Sequence, residues 1–193
     1  ILAHCGWITK LADREVARAG ACVSHNPVSN MKLATGGFTP LPELLKEGAT
    51  VSLGTDGAAS NNTLDMFESM KFAALLHKHH RWDPCVANAQ EILDMATIEG
   101  AKALHIDNKV GSIEKGKIAD LVIIDFDKPN LTPCFDPVSH VVYACRSRDV
   151  YAIIVDGKVL MIDGKLFTLD KDRVIERANK EAERLTGESL CSI

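Results

Sequence analysis

The sequence predicts an α/β fold with a parallel sheet, followed by a smaller β-rich unit and a final helix. Three short apolar segments run into His4, His25 and Asp56, and the stretches between them have helical patterns. Such alternation of strands and helices predicts a parallel sheet with right-handed crossovers. Because active sites of parallel α/β folds lie at the carboxyl ends of the strands, these three polar side chains are the first candidate site residues.

The first part of the chain divides into alternating elements. Gly20 and Gly48 mark two helix ends, because glycine is a frequent stop signal. Residues 26–40 contain prolines and glycines and predict a long loop, a feature that is uncommon unless functional. The predicted order is a strand before His4, a helix over 8–19, a strand over 21–25, that loop, a helix over 41–46, a strand over 49–53, and helices over 63–80 and 88–105.

After residue 105 the apolar pattern changes from helical to strand-like. The Asp156-Gly157 pair between two apolar runs predicts a two-residue hairpin. The last helix is expected to begin after Asp170 and to end near Gly187, with one apolar face. The predicted strands of this second unit are 119–126, which we expect to be buried, 141–145, 152–155 and 159–162.

Composition limits the classes of partner. The 193 residues are 46% hydrophobic and 25% charged, with a net charge of -4 and a pI near 6.0. The acidic balance and the lack of a Lys/Arg-rich tract predict no nucleic-acid partner. No apolar stretch reaches the roughly 18 residues that a membrane-spanning helix needs, so we expect no membrane partner.

The six cysteines indicate a reducing environment. They form no Cys-x-x-Cys pair and accompany strand and helix patterns rather than a loop-rich disulfide scaffold. We therefore expect reduced thiols and a cytoplasmic location.

Several motifs, in this order along the chain, resemble the metal-dependent amidohydrolase superfamily. The resemblance is strongest to the 5-methylthioadenosine/S-adenosylhomocysteine deaminases and the related chlorohydrolases. The motifs are ILAHCG at 1–6, SHNPVSNMKL at 24–33, GTDGAASNN at 54–62, MATIEGA at 95–101 and GSIEKGKIADLVIID at 111–125. The last of them is similar to the segment where the barrel of that family gives way to a small β-domain.

The resemblance implies the C-terminal part of a (β/α)8 TIM-type barrel, followed by part of a small composite β-sandwich domain and a C-terminal helix. Residues 1–113 would be barrel strands 6 to 8 with their helices, 114–169 the β-domain portion and 170–193 the helix. A barrel of this type takes roughly 250 residues. We therefore expect the chain to be a fragment or the product of a truncated gene that lacks the earlier strands.

The resemblance also implies the site chemistry. His4 corresponds to the histidine of the sixth strand and Asp56 to the aspartate of the eighth, and both are predicted to bind a divalent metal and to act in catalysis. The metal is expected to be zinc, with iron and manganese as alternatives. Asp56 would bind it through one oxygen while the other orients water and takes its proton, and His4 would hydrogen-bond the water or the developing oxyanion. The proton-delivering glutamate of the family has no counterpart here.

The other candidates carry weaker signals. His25, Asn61 and Asn62 are predicted to contact substrate; alternatively, His25 anchors the loop after its strand and the two asparagines support the loop behind Asp56. Asp56 itself could be only a turn or helix cap. The histidines at 77, 79 and 80 indicate a solvated helix end, where cationic groups suit the helix dipole.

Three functions are consistent with these observations. The first is hydrolytic deamination of a small molecule, an adenosine-like or other amino-heterocycle. The alternatives are a chlorohydrolase or guanine/cytosine-type deaminase of the same superfamily, and a catalytically inert half-barrel. With two metal ligands at most, the isolated chain is expected to bind metal weakly or not at all. Open strand edges predict a homo-oligomer or poor solubility.

Overall fold

Two sheets organise residues 1–187, the part of the chain that the computed structural model describes. The first is parallel, with order β1-β2-β3, and pairs Leu2 with Val23 and His25 with Leu53. The second is antiparallel, with order β4-β5-β6-β7. The strands are β1 (Leu2–Ala3), β2 (Val23–His25), β3 (Val51–Leu53), β4 (Leu121–Ile124), β5 (Val150–Val155), β6 (Lys158–Ile162) and β7 (Lys165–Leu166).

The helices connect and cover these strands. They are α1 (Lys10–Arg18), α2 (Pro27–Lys32), α3 (Leu41–Lys46), α4 (Ala58–Asn61), α5 (Met66–Arg81), α6 (Ala89–Ala96), α7 (Ile98–Ala103), α8 (Pro137–Tyr143) and α9 (Lys171–Thr186). Short 3₁₀ turns occupy Pro129–Leu131 and Ser147–Asp149. No helix among residues 1–187 is long and apolar enough to cross a bilayer.

The hydrophobic core lies around the parallel sheet. Val23 and Val51 from the strands are completely buried against Leu44 of α3 and Ile92 of α6. Helix α8 comes from a later part of the chain and adds Val142 to the same core. Strands β2 and β3 are thus covered by apolar side chains, as strands of α/β folds usually are, whereas both residues of β1 are exposed.

Most of the predicted elements are confirmed. The parallel sheet, the helices near 8–19, 41–46 and 63–80 and the final helix all form. The hairpin turn has positive φ at both Asp156 (51°) and Gly157 (71°), which matches the primed turns that join antiparallel strands. Asp170 caps α9 and Gly187 ends it in the left-handed region, while residues 188–193 of the predicted C-terminal segment lie outside the described residues.

Two predictions about the later segments are wrong. The segment 141–145 is not a strand, because Asp136 accepts hydrogen bonds from the amides of Val138 and Ser139 and Pro137 fits the first turn of α8. The strand predicted over 119–126 is not buried, since the side chains of Val122 and Ile123 are exposed.

Two helical segments also differ from the prediction. The predicted helix over 88–105 is broken at Thr97, whose backbone is non-helical, so that α6 and α7 are separate. The predicted loop over 26–40 contains α2, for which Pro27 supplies a favourable first helical residue.

Candidate active site

His4 and Asp56 lie together at the carboxyl edge of the parallel sheet. His4 directly follows β1 and Asp56 follows β3, and both have positive φ, 68° and 61°. The His4 amide donates to the Ser24 carbonyl at 2.9 Å, which extends the strand pairing up to the turn. The Nε2 atom of His4 lies 3.9 Å from Oδ2 of Asp56. The two leading candidates from the sequence are therefore neighbours.

Asp56 is held as a carboxylate by short hydrogen bonds. The Ser29 hydroxyl donates to Oδ2 at 2.6 Å and the Gly57 amide donates to Oδ1 at 2.7 Å. These bonds, chiefly the one from Ser29, lower the pKa of Asp56 below its usual value. The side chain is still 31% exposed, so an ionised Asp56 is open to a ligand.

His4 is oriented by an amide. Its Nδ1 lies 2.8 Å from Oδ1 of Asn30, and because an amide oxygen only accepts, Nδ1 carries the proton. In a neutral ring Nε2 then has a free lone pair, directed towards Asp56. At 3.9 Å, Nε2 and Oδ2 of Asp56 are too far apart for a hydrogen bond. Two atoms with free lone pairs therefore face the same space.

Ser29 and Asn30 were missed as site residues by the sequence analysis. Both are buried residues of α2, the helix that was predicted as loop. The signal available was Pro27 at the start of a Ser-Asn segment beside a candidate histidine. Gly54 reinforces this arrangement, because an added Cβ there would collide with the side chain of Asn26 at the start of α2.

His25 is completely buried behind His4. Its Nδ1 lies 2.8 Å from the Thr39 hydroxyl and its Nε2 lies 3.1 Å from Nε2 of His77. Burial, His77 and His4 together lower the pKa of His25 well below its usual value. Both ring nitrogens are engaged within the protein, which favours the anchoring role; a substrate contact by His25 remains a prediction.

The interpretation of the histidine cluster as a solvated helix end is wrong for His77. Its side chain is fully buried, whereas His79 and His80 are exposed. The reason is helical periodicity: His77 continues the inward-facing row that contains Met70, Ala73 and Ala74. That row is visible in the sequence and could have revealed the buried position.

Asn61 and Asn62 hold the segment that follows Asp56. The Asn61 amide donates to the Thr55 carbonyl at 2.6 Å, and Asn62 accepts from the Lys32 ammonium. These bonds match the supporting role considered for them. Their predicted contact with substrate remains a prediction.

His4 and Asp56 fit two positions of a metal site. A neutral imidazole nitrogen and a carboxylate are suitable ligands for zinc and similar ions. Among residues 1–187 no group of three or more potential ligands is brought together. A catalytic zinc usually has three protein ligands, of which His4 and Asp56 could supply two.

Two cavities lie near the sheet. The first, of about 180 Å³, is lined by His25, Asn30 and Phe38 among others, and so lies next to the site. The second, of about 440 Å³, is lined by Leu41, Glu91 and their neighbours and includes neither His4 nor Asp56. The smaller cavity is the one relevant to the candidate chemistry.

The comparisons with known proteins agree with this geometry. The profile of the amidohydrolase family matches residues 1–160. The chain is 52% identical over 188 residues to a 5'-deoxyadenosine deaminase of Methanosarcina mazei, covering 97% of this chain and 43% of the relative. It is 53% identical over 167 residues to a 5-methylthioadenosine/S-adenosylhomocysteine deaminase of Thermococcus onnurineus, covering 86% and 39%. The chain thus spans less than half the length of these curated relatives.

Solved structures are similar over nearly the whole chain. A zinc-bound adenosine deaminase from Xanthomonas campestris matches with a TM-score of 0.93 and 34% identity, over 96% of this chain and 42% of that one. A zinc complex of the atrazine chlorohydrolase TrzN from Arthrobacter aurescens matches with a TM-score of 0.86 and 26% identity, over 93% and 40%. The mixed α/β fold is therefore shared with amidohydrolase structures over about 40% of their length.

Proposed function

The chain belongs to the amidohydrolase family, and on that premise we propose that it is part of a metal-dependent hydrolase that deaminates a small adenosine-like molecule. The observation that carries the proposal is the pairing of His4 Nε2 and Asp56 Oδ2 at 3.9 Å at the carboxyl edge of the parallel sheet. The relatives named above as deaminases of 5'-deoxyadenosine and 5-methylthioadenosine support this substrate class. The bond cleaved would be a non-peptide C–N bond.

The proposed roles follow from the surroundings of each side chain. Zinc, with iron or manganese as the alternative, would be held by His4 and Asp56 and would supply an activated water at neutral pH. Asp56 would bind through one oxygen and accept the proton of the attacking water on the other. With its proton on Nδ1, His4 would orient the water as an acceptor through Nε2; to stabilise the developing oxyanion instead, Nε2 would have to be free of the metal and protonated. Ser29 and Asn30 fix the directions of the two side chains, through bonds of 2.6 and 2.8 Å.

The lowered pKa of Asp56 is consistent with this role. A carboxylate that is already ionised can coordinate a cation without first losing a proton. His25, Asn61 and Asn62 complete the proposed site, either as substrate contacts or as supports for the chain behind Asp56.

The fold that we propose is more specific than the mixed α/β architecture that the chain shares with the solved structures. We propose that residues 1–113 form strands 6 to 8 of a TIM-type barrel and that 114–169 form part of a small β-sandwich domain. Of the C-terminal segment predicted over 170–193, α9 is the part within the described residues. Exposed apolar side chains support an association with a further part of the protein or with a second copy of this chain. They include Ile1, Leu2, Val122, Ile123 and Phe167. A homo-oligomer is the proposed assembly, with neither nucleic acid nor membrane as a partner.

The cysteines support a cytoplasmic location. The five cysteines within the described residues are all free thiols, as expected in a reducing compartment; Cys191 lies outside those residues.

A chlorohydrolase or a guanine/cytosine-type deaminase is the second candidate function. The similarity to the TrzN structure favours the former, at 26% identity, but the deaminase relatives are 52% and 53% identical. A catalytically inert half-barrel is the third candidate, favoured by the absence of a third metal ligand among residues 1–187.

The test is a chimera in which this chain replaces the matching part of the Methanosarcina mazei relative. We expect the chimera to bind about one zinc ion per chain and to release ammonia from 5'-deoxyadenosine. Asp56→Asn should weaken the affinity for zinc and slow the release of ammonia, each by more than about 100-fold. This effect is larger than that of losing a hydrogen-bond partner of a metal ligand. Asp127→Asn, an exposed aspartate beyond β4, is the matched control and should leave both unchanged.

Other outcomes would contradict the proposal. Release of chloride from atrazine without deamination would favour the chlorohydrolase. Full activity of Asp56→Asn would remove Asp56 from the site. For the isolated chain, we expect weak zinc binding that is lost in the same variant.

A further inference from the structure

A line of hydrogen bonds runs from the C-terminal part of α5 to the main chain of His4. It starts at Nε2 of His77, continues through the His25 ring and the Thr39 hydroxyl, and ends at the carbonyl oxygen of His4. All three side chains are completely buried. Since water cannot reorient the protons of this line, the chemistry of each atom fixes the direction of each bond.

The direction is set first at the His4 end. A carbonyl oxygen only accepts, so the single proton of the Thr39 hydroxyl is donated to His4. Thr39 then has only lone pairs left for its contact with Nδ1 of His25, at 2.8 Å. His25 must therefore carry a proton on Nδ1.

The direction propagates to His77. Burial together with His77 and His4 lowers the pKa of His25, so the ring is neutral and its Nε2 is an acceptor. The nitrogen facing it at 3.1 Å, Nε2 of His77, must then be protonated. The pKa of His77 is lowered to about 4, by burial and by Arg81 and His80, so this ring is neutral too and its Nδ1 is bare.

An independent observation agrees with this assignment. Within residues 1–187, Nδ1 of His77 is buried and has no hydrogen-bond partner. A bare acceptor is less costly to leave unpaired than a buried N–H, because unpaired buried donors are the rarer case in proteins. The line therefore ends at α5 on the atom that carries no proton.

We propose that His77, His25 and Thr39 form a one-directional hydrogen-bond relay that positions His4. The relay holds the main-chain carbonyl of His4, whose φ of 68° is unfavourable for any residue that has a Cβ. The hydrogen bond between Asn30 and Nδ1 of His4 then fixes the orientation of the His4 ring. His25 and His77 are thus positioning residues, and their link to catalysis rests on the proposed function of His4.

Ring tautomers of the free chain test the relay directly. Long-range ¹H–¹⁵N spectra of protein labelled with ¹⁵N-histidine, recorded at pH 7.5, should show His25 protonated on Nδ1 and His77 protonated on Nε2. The reverse assignment for either ring, or a cationic His25, would overturn the proposal. The measurement uses neither metal nor substrate, so a failure of the proposed function would leave its result unaffected.

The positioning role needs a perturbation of Thr39. Thr39→Val removes the hydroxyl with little change of shape and should cause loss of the His4 Nδ1–H signal, together with a mixed tautomer at His25. Thr39→Ser keeps a hydroxyl and should restore both signals, a rescue that a purely steric role would not produce. An unchanged His4 spectrum in folded Thr39→Val would overturn the positioning role.

A second pair of variants acts at the far end of the relay. His77→Gln keeps an N–H donor for His25, whereas His77→Met removes it. We expect His25 to keep the Nδ1–H tautomer in His77→Gln and to lose its single tautomer in His77→Met. Identical His25 spectra in both variants would contradict the relay even if Thr39→Val did not fold.

Discussion

The two sheets of this protein differ in what holds them. The parallel sheet is surrounded by buried side chains such as Val23, Val51 and Ile92. In the antiparallel sheet, Val122 is 56% exposed and Val159 is 42% exposed. Helix α9, which follows that sheet, buries none of its side chains. The first region is therefore organised by a core, while the second is organised mainly by pairing between neighbouring strands.

The candidate site lies in the region that has the core. A parallel sheet brings the ends of strands that are distant in sequence to one edge, and packing fixes their positions there. His4, Ser29 and Asp56 meet in this way across fifty residues. In the antiparallel sheet, short turns join β5, β6 and β7, and β4 pairs with β5 across the segment that contains α8. In this chain the candidate site residues lie where a buried core packs around the strand ends.

The largest expected difference between the two regions is in the stability lost when an apolar side chain is truncated. Ile92→Ala removes a completely buried side chain of α6 and should lower the free energy of unfolding by about 2 to 5 kcal/mol. Ile123→Ala in β4, where the side chain is 46% exposed, should cost less than about 1 kcal/mol. Urea unfolding of both variants measures the contrast. Equal losses would show that the antiparallel sheet has a core of its own.

The next contrast concerns pH. A histidine with a lowered folded-state pKa destabilises the fold wherever the unfolded state binds a proton that the folded state does not. For His77 this window runs from about pH 6.5 down to about 4, and across it stability should fall by about 3 kcal/mol. His25 acts in the same direction.

Thermal unfolding between pH 7.5 and 4.5 checks the pH contrast. His77→Gln should flatten the loss of stability, because glutamine does not titrate. The matched control is His79→Gln, at an exposed position of the same helix. A profile that is equally steep in both variants would mean that other groups dominate.

A smaller contrast compares two serines that donate to carboxylates. Ser29→Ala removes the 2.6 Å bond to Asp56, and Ser112→Ala removes the bond to Glu114 in the segment between the sheets. Each change should raise the pKa of its carboxyl towards the usual value, measured by ¹³C titration. In the chimera, Ser29→Ala should lower the deamination rate about tenfold. Ser112→Ala should leave the rate unchanged.

The pH dependence of this effect has a defined sign. A carboxylate with a lowered folded-state pKa contributes stability above its unfolded pKa, near 3.8 for aspartate, and loses it as pH falls through the folded value. The stability deficit of Ser29→Ala should therefore be present at pH 7 and should vanish in strong acid. A deficit that is independent of pH would indicate lost packing instead.

The smallest contrast compares two helix caps. Asp136 caps α8, which packs into the core through Val142, and Asp170 caps α9, which packs against no core. Asp136→Ala should lower the global free energy of unfolding by about 1 kcal/mol. Asp170→Ala should instead increase amide hydrogen exchange within α9 and leave the global value nearly unchanged. A global loss from Asp170→Ala would show that α9 is coupled to the core.

Much of the fold could be predicted because its signals are local. The Asp156-Gly157 turn, the cap at Asp170 and the helices α1 and α5 depend on residues a few positions apart. The predictions were wrong where contacts with distant parts of the chain decide the secondary structure. The apolar run at 141–145 suits a strand as well as a helix, and only the cap at Asp136 and the packing of α8 on the core select the helix.

The sequence by itself determined the alternation of strands and helices in the parallel sheet, and it placed His4, His25 and Asp56 at the strand ends. It also identified the family, because those motifs keep their order along the chain. The tertiary structure alone decided which side chains share the site. Ser29 reaches Asp56, Asn30 reaches His4, and His77 becomes a buried partner of His25. These contacts join residues 26 to 52 positions apart, and such distances are fixed by packing rather than by local propensity.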